Sequence, residues 1–126
     1  MILAKRIYET SHRPNTYAVF VDRLWPRGLA KKDAFWDEWL KEVSPTPALR
    51  KWFGHDPKKW DDFKHRYWQE LKQKPEETNH MKQLEKEHST LVLLYAARDK
   101  THNHAAAIKE FLEKNEHLKK DINCNA

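Results

Sequence analysis

Apolar residues along the chain group into short runs that match the periods of strands and helices. Residues 2–9 alternate weakly between apolar and polar, and residues 17–21 form a compact run of β-branched and aromatic residues; both patterns predict strands. The polar segment 10–16 between them contains Pro14 and predicts a loop. Residues 90–97 are almost continuously apolar, which predicts a central strand of a parallel sheet covered on both faces.

The middle of the chain carries apolar residues at helical spacing. A short helix is predicted for residues 33–40, whose aromatic and aliphatic positions are Phe35, Trp36, Trp39 and Leu40. A second is predicted for residues 48–53, ended by Gly54, since glycine adopts the left-handed conformation at little cost. Asp56 and Pro57 mark the start of the best-defined helix, an N-cap acceptor followed by proline, which continues through Trp60, Phe63, Tyr67 and Leu71.

Two further helices complete the pattern. Pro75 starts one that runs to about residue 88, and Asn103 caps a final helix whose buried side is Ala106, Ile108, Phe111 and Leu112. Residues 116–126 are predicted to form a flexible polar tail. The alternation predicts a single α/β domain over residues 1–115, with a small, mostly parallel sheet of three or four strands flanked by helices. The orientation of the first two strands stays open, because residues 10–16 are short for a parallel crossover.

Composition narrows the class of protein. A chain of 126 residues with 34% charged residues and a mean hydropathy of −1.02 has the size of one soluble domain. The longest apolar run is too short to cross a bilayer, and the first residues lack the features of a secretion signal. We therefore expect a cytoplasmic protein with no membrane partner. The one cysteine, Cys124, excludes an intrachain disulfide and cysteine-rich metal sites.

Charge favours an anionic partner without defining it. Lys and Arg number 24 against 19 Asp and Glu, which gives a net charge of +5 and a pI near 9.3. The excess is spread evenly along the chain, which is typical of a solvated surface. The net charge does not indicate the oligomeric state of the protein.

Two polar clusters begin where predicted strands end. Residues 22–28 follow one strand and residues 98–104 follow the other; ligands of open α/β sheets bind beyond the carboxyl ends of strands. We expect the clusters to converge on one crevice for a phosphate or carboxylate, lined by Asp22, Arg23, Trp25, Arg27, Arg98, His102 and His104. The alternative is that Arg23 and Arg98 pair with the neighbouring aspartates and that Trp25 plugs the core.

Roles follow from the chemistry of the side chains. Arginines are expected to hold the anion and Trp25 to form an aromatic wall, while His104 at a helix N-terminus is the candidate proton donor or acceptor. His55, beside another helix start, is a further ligand-binding candidate, and its alternative is an exposed side chain. His102 and His104 have no cysteine or suitably spaced glutamate nearby, so neither a metal nor a cofactor is predicted.

A different class of function is suggested by residues 50–74, where aromatic and basic residues alternate. Bases of a nucleic acid can stack on such aromatics while Lys and Arg bind phosphates. However, Trp60, Phe63, Tyr67 and Leu71 fit one buried stripe, and acidic residues in the segment weaken its field, so a core role is favoured. Trp68 lies off the stripe, and its exposure beside Lys64 and Lys72 would favour nucleic acid.

The clusters resemble the YeaO-like branch of the DUF488 family, a domain of unknown function. The motifs that carry the resemblance lie at residues 5–8, 21–28, 49–57, 94–99 and 102–105. It implies a small cytoplasmic α/β protein, mostly bacterial in distribution. The wider family is similar in having an Asp-Val-Arg element where this chain has Val21, Asp22 and Arg23. It also has a Cys-His-Arg element near His102; this chain lacks that cysteine, which argues against thiol chemistry.

The function predicted from the sequence is a small-molecule site for a phosphate- or carboxylate-bearing ligand such as a nucleotide, with His104 available for acid–base catalysis. Whether the protein is an enzyme stays open. The alternative is a non-catalytic module that binds nucleic acid or another protein through its basic aromatic surface. Salt separates the two, because nucleic-acid affinity falls steeply as salt rises, whereas a pocketed anion is less sensitive.

Overall fold

A computed structural model describes the backbone of residues 1–124 and the side chains of residues 1–114. Its strands are β1 (Ile2–Arg6), β2 (Thr16–Phe20), β3 (Glu38–Trp39) and β4 (Thr90–Tyr95). They form a four-stranded sheet in the order β1-β4-β2-β3, and every neighbouring pair is parallel. The predicted central position of β4 is confirmed, and so is the parallel α/β class.

The connection from β1 to β2 contains no α-helix. A 3₁₀ turn, Ile7–Glu9, follows β1, where the sequence predicted a longer strand. The buried side chain of Ile7 packs with Ala18 and Phe20. Because an extended chain covers about 3.3 Å per residue, the nine residues between Arg6 and Thr16 suffice to return to the start of the next parallel strand. Both β1 and β2 are thereby parallel to β4, which lies between them.

The helices are α1 (Pro47–Phe53), α2 (Trp60–Lys72), α3 (Pro75–Glu87) and α4 (His104–Cys124). Gly54 ends α1 with φ of 54°, and the Asp56 carboxylate accepts from the backbone N–H of Lys58 in a short 3₁₀ turn before α2. The side chain of Asn103 accepts from the N–H of Ala106 at 2.9 Å. Caps predicted at these positions are therefore confirmed, and the 3₁₀ turn places the start of α2 slightly later.

The helix predicted for residues 33–40 is wrong. This segment contains a 3₁₀ turn, Lys31–Asp33, and then β3, which pairs with β2. Backbone bonds hold it at the sheet edge, since the N–H of Asp37 donates to Ala18 O at 2.8 Å and that of Leu40 to Phe20 O at 2.9 Å. Tertiary hydrogen bonding thus overrides the helical spacing of the aromatics.

The two faces of the sheet are covered differently. Helices pack against one face over the larger core, which includes Val19, Leu91 and Leu93 together with Phe63 and Tyr67. The opposite face is covered by β3 and the segment before it, whose aromatic residues pack against the cluster that contains Phe20 and Leu94; they are Phe35, Trp36 and Trp39. Trp25 packs against the last two in tilted and edge-on geometry, with ring centroids 5.1 and 5.7 Å away. The segment that begins with the first polar cluster therefore also forms the second core.

The predicted tail of residues 116–126 falls largely outside the described side chains. The backbone of α4 extends to Cys124, beyond the predicted boundary at residue 115, and residues 125 and 126 are not described. The flexibility of this tail stays a prediction. Among the residues that the structure describes, no helix is long and apolar enough to cross a membrane.

Candidate functional site

Two cavities lie side by side beyond the carboxyl ends of β2 and β4. The first, the histidine cavity, has a volume of about 530 Å³ and is lined by side chains that include Arg23, Arg50, His55, His102 and His104. The second, the arginine cavity, has a volume of about 520 Å³ and is lined by side chains that include Arg6, Tyr8, Trp25, Arg27 and Arg98. Asp22, Leu24 and Ala96 line both.

The residues predicted for one crevice are therefore divided between these two cavities. Arg23, His55, His102 and His104 lie on the histidine cavity, whereas Trp25, Arg27 and Arg98 lie on the arginine cavity. The division arises because Trp25 turns toward the second core, where its indole N–H donates to Leu29 O at 2.6 Å. Asp22 belongs to the wall that the cavities share.

Arg23 carries a partly buried guanidinium with few partners. Its Nη2 donates to Pro45 O at 3.4 Å, a long hydrogen bond. Its Nε is buried and has no acceptor among the described residues. The predicted alternative, an ion pair with Asp22, is not present in the described part of the chain. A buried donor without an acceptor is costly, so this group favours an added oxygen acceptor.

His104, the first residue of α4, joins the helix to the end of β2. Its Nε2 lies 3.0 Å from Val21 O and 3.0 Å from Oδ1 of Asp22. Both neighbours are acceptors, so Nε2 carries the proton. The N–H is aligned on Val21 O, which leaves Oδ1 close to the ring without a well-aligned hydrogen bond. The contacts anchor the imidazole, and only Nδ1 remains for a ligand.

His102 is held by a tight turn. Its Nδ1 lies 2.9 Å from Oδ2 of Asp99, which fixes the proton on Nδ1 and leaves Nε2 as an acceptor in the neutral ring. The N–H groups of His102 and Thr101 both donate to Oδ1 of Asp99 at 2.9 Å. These bonds from His102, then from Thr101, hold the pKa of Asp99 well below its usual range. Nε2 of His102 has no hydrogen bond within the described residues.

His55 occupies a strained backbone position on the histidine cavity. Its φ is 56°, directly after Gly54 at 54°. Residues other than glycine seldom adopt this conformation, although asparagine, aspartate and histidine do so more often than the rest. The imidazole is exposed, as the alternative to a binding role assumed, yet it lines the cavity. Strain at a cavity wall is typical of functional positions.

The arginines of the arginine cavity differ in whether their guanidinium groups are bonded within the protein. Arg6 is engaged, since its Nε donates to Ala97 O at 3.0 Å and its Nη1 lies 3.9 Å from Glu9. Arg27 and Arg98 are exposed, and neither guanidinium has a hydrogen bond or ion pair with any residue that the structure describes. Trp25 and the exposed Tyr8 add aromatic surface.

Sequence reasoning missed several residues of these cavities. Arg50 and Lys51 reach the histidine cavity from the last turn of α1, and Arg6 reaches the arginine cavity from β1. Arg6 could have been predicted, because it is the last residue of a parallel strand and ligands of α/β proteins bind beyond the carboxyl ends of such strands. Arg50 and Lys51 precede Gly54 and His55 by only a few residues, but only the fold brings α1 over the end of β2.

The basic aromatic segment of residues 50–74 is used mainly within the fold. Phe63, Tyr67 and Leu71 are buried. Trp68 is partly buried, and its indole N–H donates to Ala107 O at 2.9 Å, which fastens α2 to α4. Trp52 is covered by the protein's own cations, with Arg66 4.1 Å from its ring centroid and Lys59 5.1 Å away. These contacts favour the core role over base stacking.

No group of three or more His, Cys, Asp or Glu side chains is placed to hold a metal ion within the described residues. His102 and His104 each have one ring nitrogen beside a carboxylate or carbonyl oxygen. The chemistry of both cavities rests on guanidinium, ammonium, imidazole and carboxylate groups.

Fold and cavities together define a small α/β protein with a parallel sheet and two basic pockets at its carboxyl edge. The chain belongs to the DUF488-N3i family, described as the inactive DUF488-N3 subclade, whose model matches residues 1–126. It is 38% identical over 111 residues to YeaO of Escherichia coli, an uncharacterized protein, across 88% of this chain and 96% of the relative. The resemblance to the YeaO-like branch of DUF488 is confirmed.

Mycobacterial relatives match a shorter segment. The uncharacterized proteins Rv3073c of Mycobacterium tuberculosis and Mb3100c of Mycobacterium bovis are each 41% identical over 66 residues, covering 52% of this chain and 56% of the relative. No solved structure matches the chain at a significant level.

Proposed function

We propose that the histidine cavity binds a small molecule through its phosphate or carboxylate group. The observation that carries the proposal is Arg23, whose buried Nε lacks an acceptor and whose guanidinium has no carboxylate partner in the described chain. Guanidinium groups bind carboxylates and phosphates in a planar, two-pronged geometry. An anion that accepts from Arg23 would satisfy a donor that the fold alone leaves open.

The charges around Arg23 support an anion rather than a cation. Arg50 and Lys51 line the same cavity, and neither side chain has an ion pair within the described residues. The carboxylate that faces them is Asp22. Its Oδ2 accepts from the N–H of Ala96 at 3.1 Å, whereas its Oδ1 lies 3.0 Å from Nε2 of His104 and is buried without a hydrogen bond among the described residues. Counting arginine and lysine alone, three cations face one carboxylate, so the cavity attracts negative charge.

The remaining walls suit a small organic body. Phe53 and Phe63 are buried side chains that contribute apolar surface, and Pro45 and Ala97 add more. A volume of about 530 Å³ lies in the range of small-molecule sites, which are mostly apolar with a few polar groups that set orientation. Nε2 of His102 and Nδ1 of His104 are ring nitrogens available for that purpose.

We assign binding, not turnover, to this cavity. Nε2 of His104 is tied to Val21 O and Asp22, so acid–base catalysis by this residue remains a prediction that depends on Nδ1. The description of the subclade as inactive supports the same assignment. We also propose that the protein acts in the cytoplasm, as expected from the sequence.

Isothermal titration calorimetry with inorganic phosphate, succinate and adenosine 5′-monophosphate tests the proposal. We expect at least one to bind, and Arg23→Gln to weaken it by roughly tenfold or more, since a hydrogen bond to a charged group contributes about 1.5–3 kcal/mol. Arg13→Gln, a change in an exposed loop, is the matched control and should bind like the wild type. Absence of binding by all three, or equal affinity in both variants, would overturn the proposal.

The salt dependence of binding distinguishes the proposed anion site from the alternative, a module that binds nucleic acid. Binding of a single-stranded oligonucleotide through phosphates should fall steeply between about 50 mM and about 200 mM salt, whereas an anion enclosed in the cavity should lose little. Strong, salt-sensitive oligonucleotide binding that survives Arg23→Gln would favour the rival.

A further inference from the structure

We infer that the ligand carries two anionic groups joined by an uncharged middle section, with one group in the histidine cavity and the other in the arginine cavity. This inference rests on the proposed function and extends it to the class of ligand. It combines three observations: the wall that the cavities share, the unpaired arginines of the second cavity, and the carboxylate between the two.

The two cavities share three lining residues, Asp22, Leu24 and Ala96. Leu24 is 69% exposed, one of the few large apolar side chains so exposed in the described chain. Its position on both linings places an apolar contact midway between two basic pockets. A ligand that spans the pair would cover Leu24, and covering an exposed leucine is favourable.

The second cavity offers cations that the fold does not use. The guanidinium groups of Arg27 and Arg98 make no hydrogen bond or ion pair with the rest of the described chain, although the backbone carbonyl of Arg27 accepts from the Tyr8 hydroxyl at 2.8 Å. Arg6 is held by Ala97 O. Two unpaired guanidinium groups near a third favour a second anionic group. This group is distinct from the one at Arg23, because Arg23 lines only the histidine cavity.

The Asp22 carboxylate limits which part of the ligand can lie between its two anionic groups. Its carboxylate belongs to the shared wall, with Oδ2 held by Ala96 N at 3.1 Å and Oδ1 next to His104. A negative group of the ligand placed beside it would be repelled. The part of the ligand that crosses the wall is therefore uncharged, which excludes a continuous polyphosphate and favours two separated anionic ends.

A series of alkane-α,ω-bisphosphonates of increasing chain length tests the inference, each compared by calorimetry with the alkylphosphonate of the same length. We expect a maximum in affinity at one length, at least tenfold tighter than the matched monophosphonate, because the second contact becomes intramolecular. The twofold statistical advantage of two identical ends is too small to produce this difference.

Variants assign the two ends. The double change Arg27→Gln and Arg98→Gln should reduce the best bisphosphonate to the affinity of its monophosphonate, while the monophosphonate binding that depends on Arg23 persists. Arg23→Gln should weaken both, and Arg13→Gln neither. Neither guanidinium replaced in the double variant makes a hydrogen bond or ion pair within the described chain, and the bond from the Tyr8 hydroxyl to Arg27 O involves the backbone. We therefore expect the fold to be kept, which thermal unfolding checks.

The outcomes distinguish the two proposals. If monophosphonates bind through Arg23 but bisphosphonates bind no better at any length, the two-ended ligand is wrong and the anion site stands. If neither class binds to the wild type, both are wrong. Tight bisphosphonate binding that persists in the double variant also overturns the inference, since the second end then lies elsewhere.

Discussion

The Nε2 atom of His104 lies 3.0 Å from Oδ1 of Asp22, which ties the first residue of α4 to a loop residue just past β2. The two side chains are 15% and 18% exposed. The contact links the two chain segments that border the histidine cavity. It therefore bears on stability as well as on the site.

Replacement His104→Ala should destabilise the fold by about 2 kcal/mol, because it leaves Val21 O without its donor and removes a partly buried ring that packs beside the Asp22 carboxylate. Urea denaturation measures the loss. His12→Ala, in an exposed loop, is the control and should change stability by less than about 0.5 kcal/mol. A loss in His104→Ala no larger than in the control would show that the contact contributes nothing to stability.

Asp99 should make stability depend on pH. Hydrogen bonds from His102 and Thr101 lower its pKa in the folded protein, so its ionised form stabilises the fold above the unfolded pKa of about 4, and this contribution is lost as the pH falls below it. Asp99→Asn removes the charge, and we expect it to be less stable than the wild type at pH 7. The difference should begin to shrink as the pH falls below about 4 and should keep shrinking toward the lower folded pKa, as urea midpoints at pH 7, 4 and 3 would show.

Asp33→Asn, at an exposed acidic residue, serves as the control for Asp99→Asn and should differ little from the wild type at any pH. A stability difference for Asp99→Asn that stays constant across this pH range would contradict the assigned pKa direction.

Much of the fold follows from local pattern. The apolar run of β4, the caps at Asp56 and Asn103 and the stripe of α2 each agree with the structure. The segment of residues 33–40 does not, because adjacent aromatics spaced from Trp39 and Leu40 suit both a helix and a covering loop. Bonds from Asp37 and Leu40 to β2 decide between them, and such long-range pairing leaves no local mark.

The sequence predicts where the candidate site lies on the sheet, but not how its residues divide between the two cavities. Strand ends locate Arg23 and Arg98 at one edge of the sheet, as the general rule for α/β proteins indicates. The direction in which Trp25 turns determines which cavity the residues after it line, and that direction depends on Trp36 and Trp39. Arg50 and Lys51 lie in α1, so no strand-end argument could include them.

The left-handed conformation of His55 should cost stability. With φ at 56°, the replacement His55→Gly removes a steric penalty of about 1 kcal/mol, and we expect the variant to be more stable by about that amount in urea denaturation. His65→Gly, the same change inside α2, should have the opposite sign and cost about 1 kcal/mol. If both variants lose stability, position 55 is not strained.

Trp68 separates the packing role of the basic aromatic segment from a nucleic-acid role. Its indole N–H donates to Ala107 O at 2.9 Å, so Trp68→Phe keeps an aromatic ring for stacking but loses this bond between α2 and α4. We expect a loss of about 1 kcal/mol in urea denaturation. Trp52→Phe is the matched control, because the indole N–H of Trp52 has no hydrogen bond within the described chain, and it should lose less. Equal stability of the wild type and Trp68→Phe, together with weaker binding of a single-stranded oligonucleotide by this variant, would reverse the assignment and make Trp68 a binding residue.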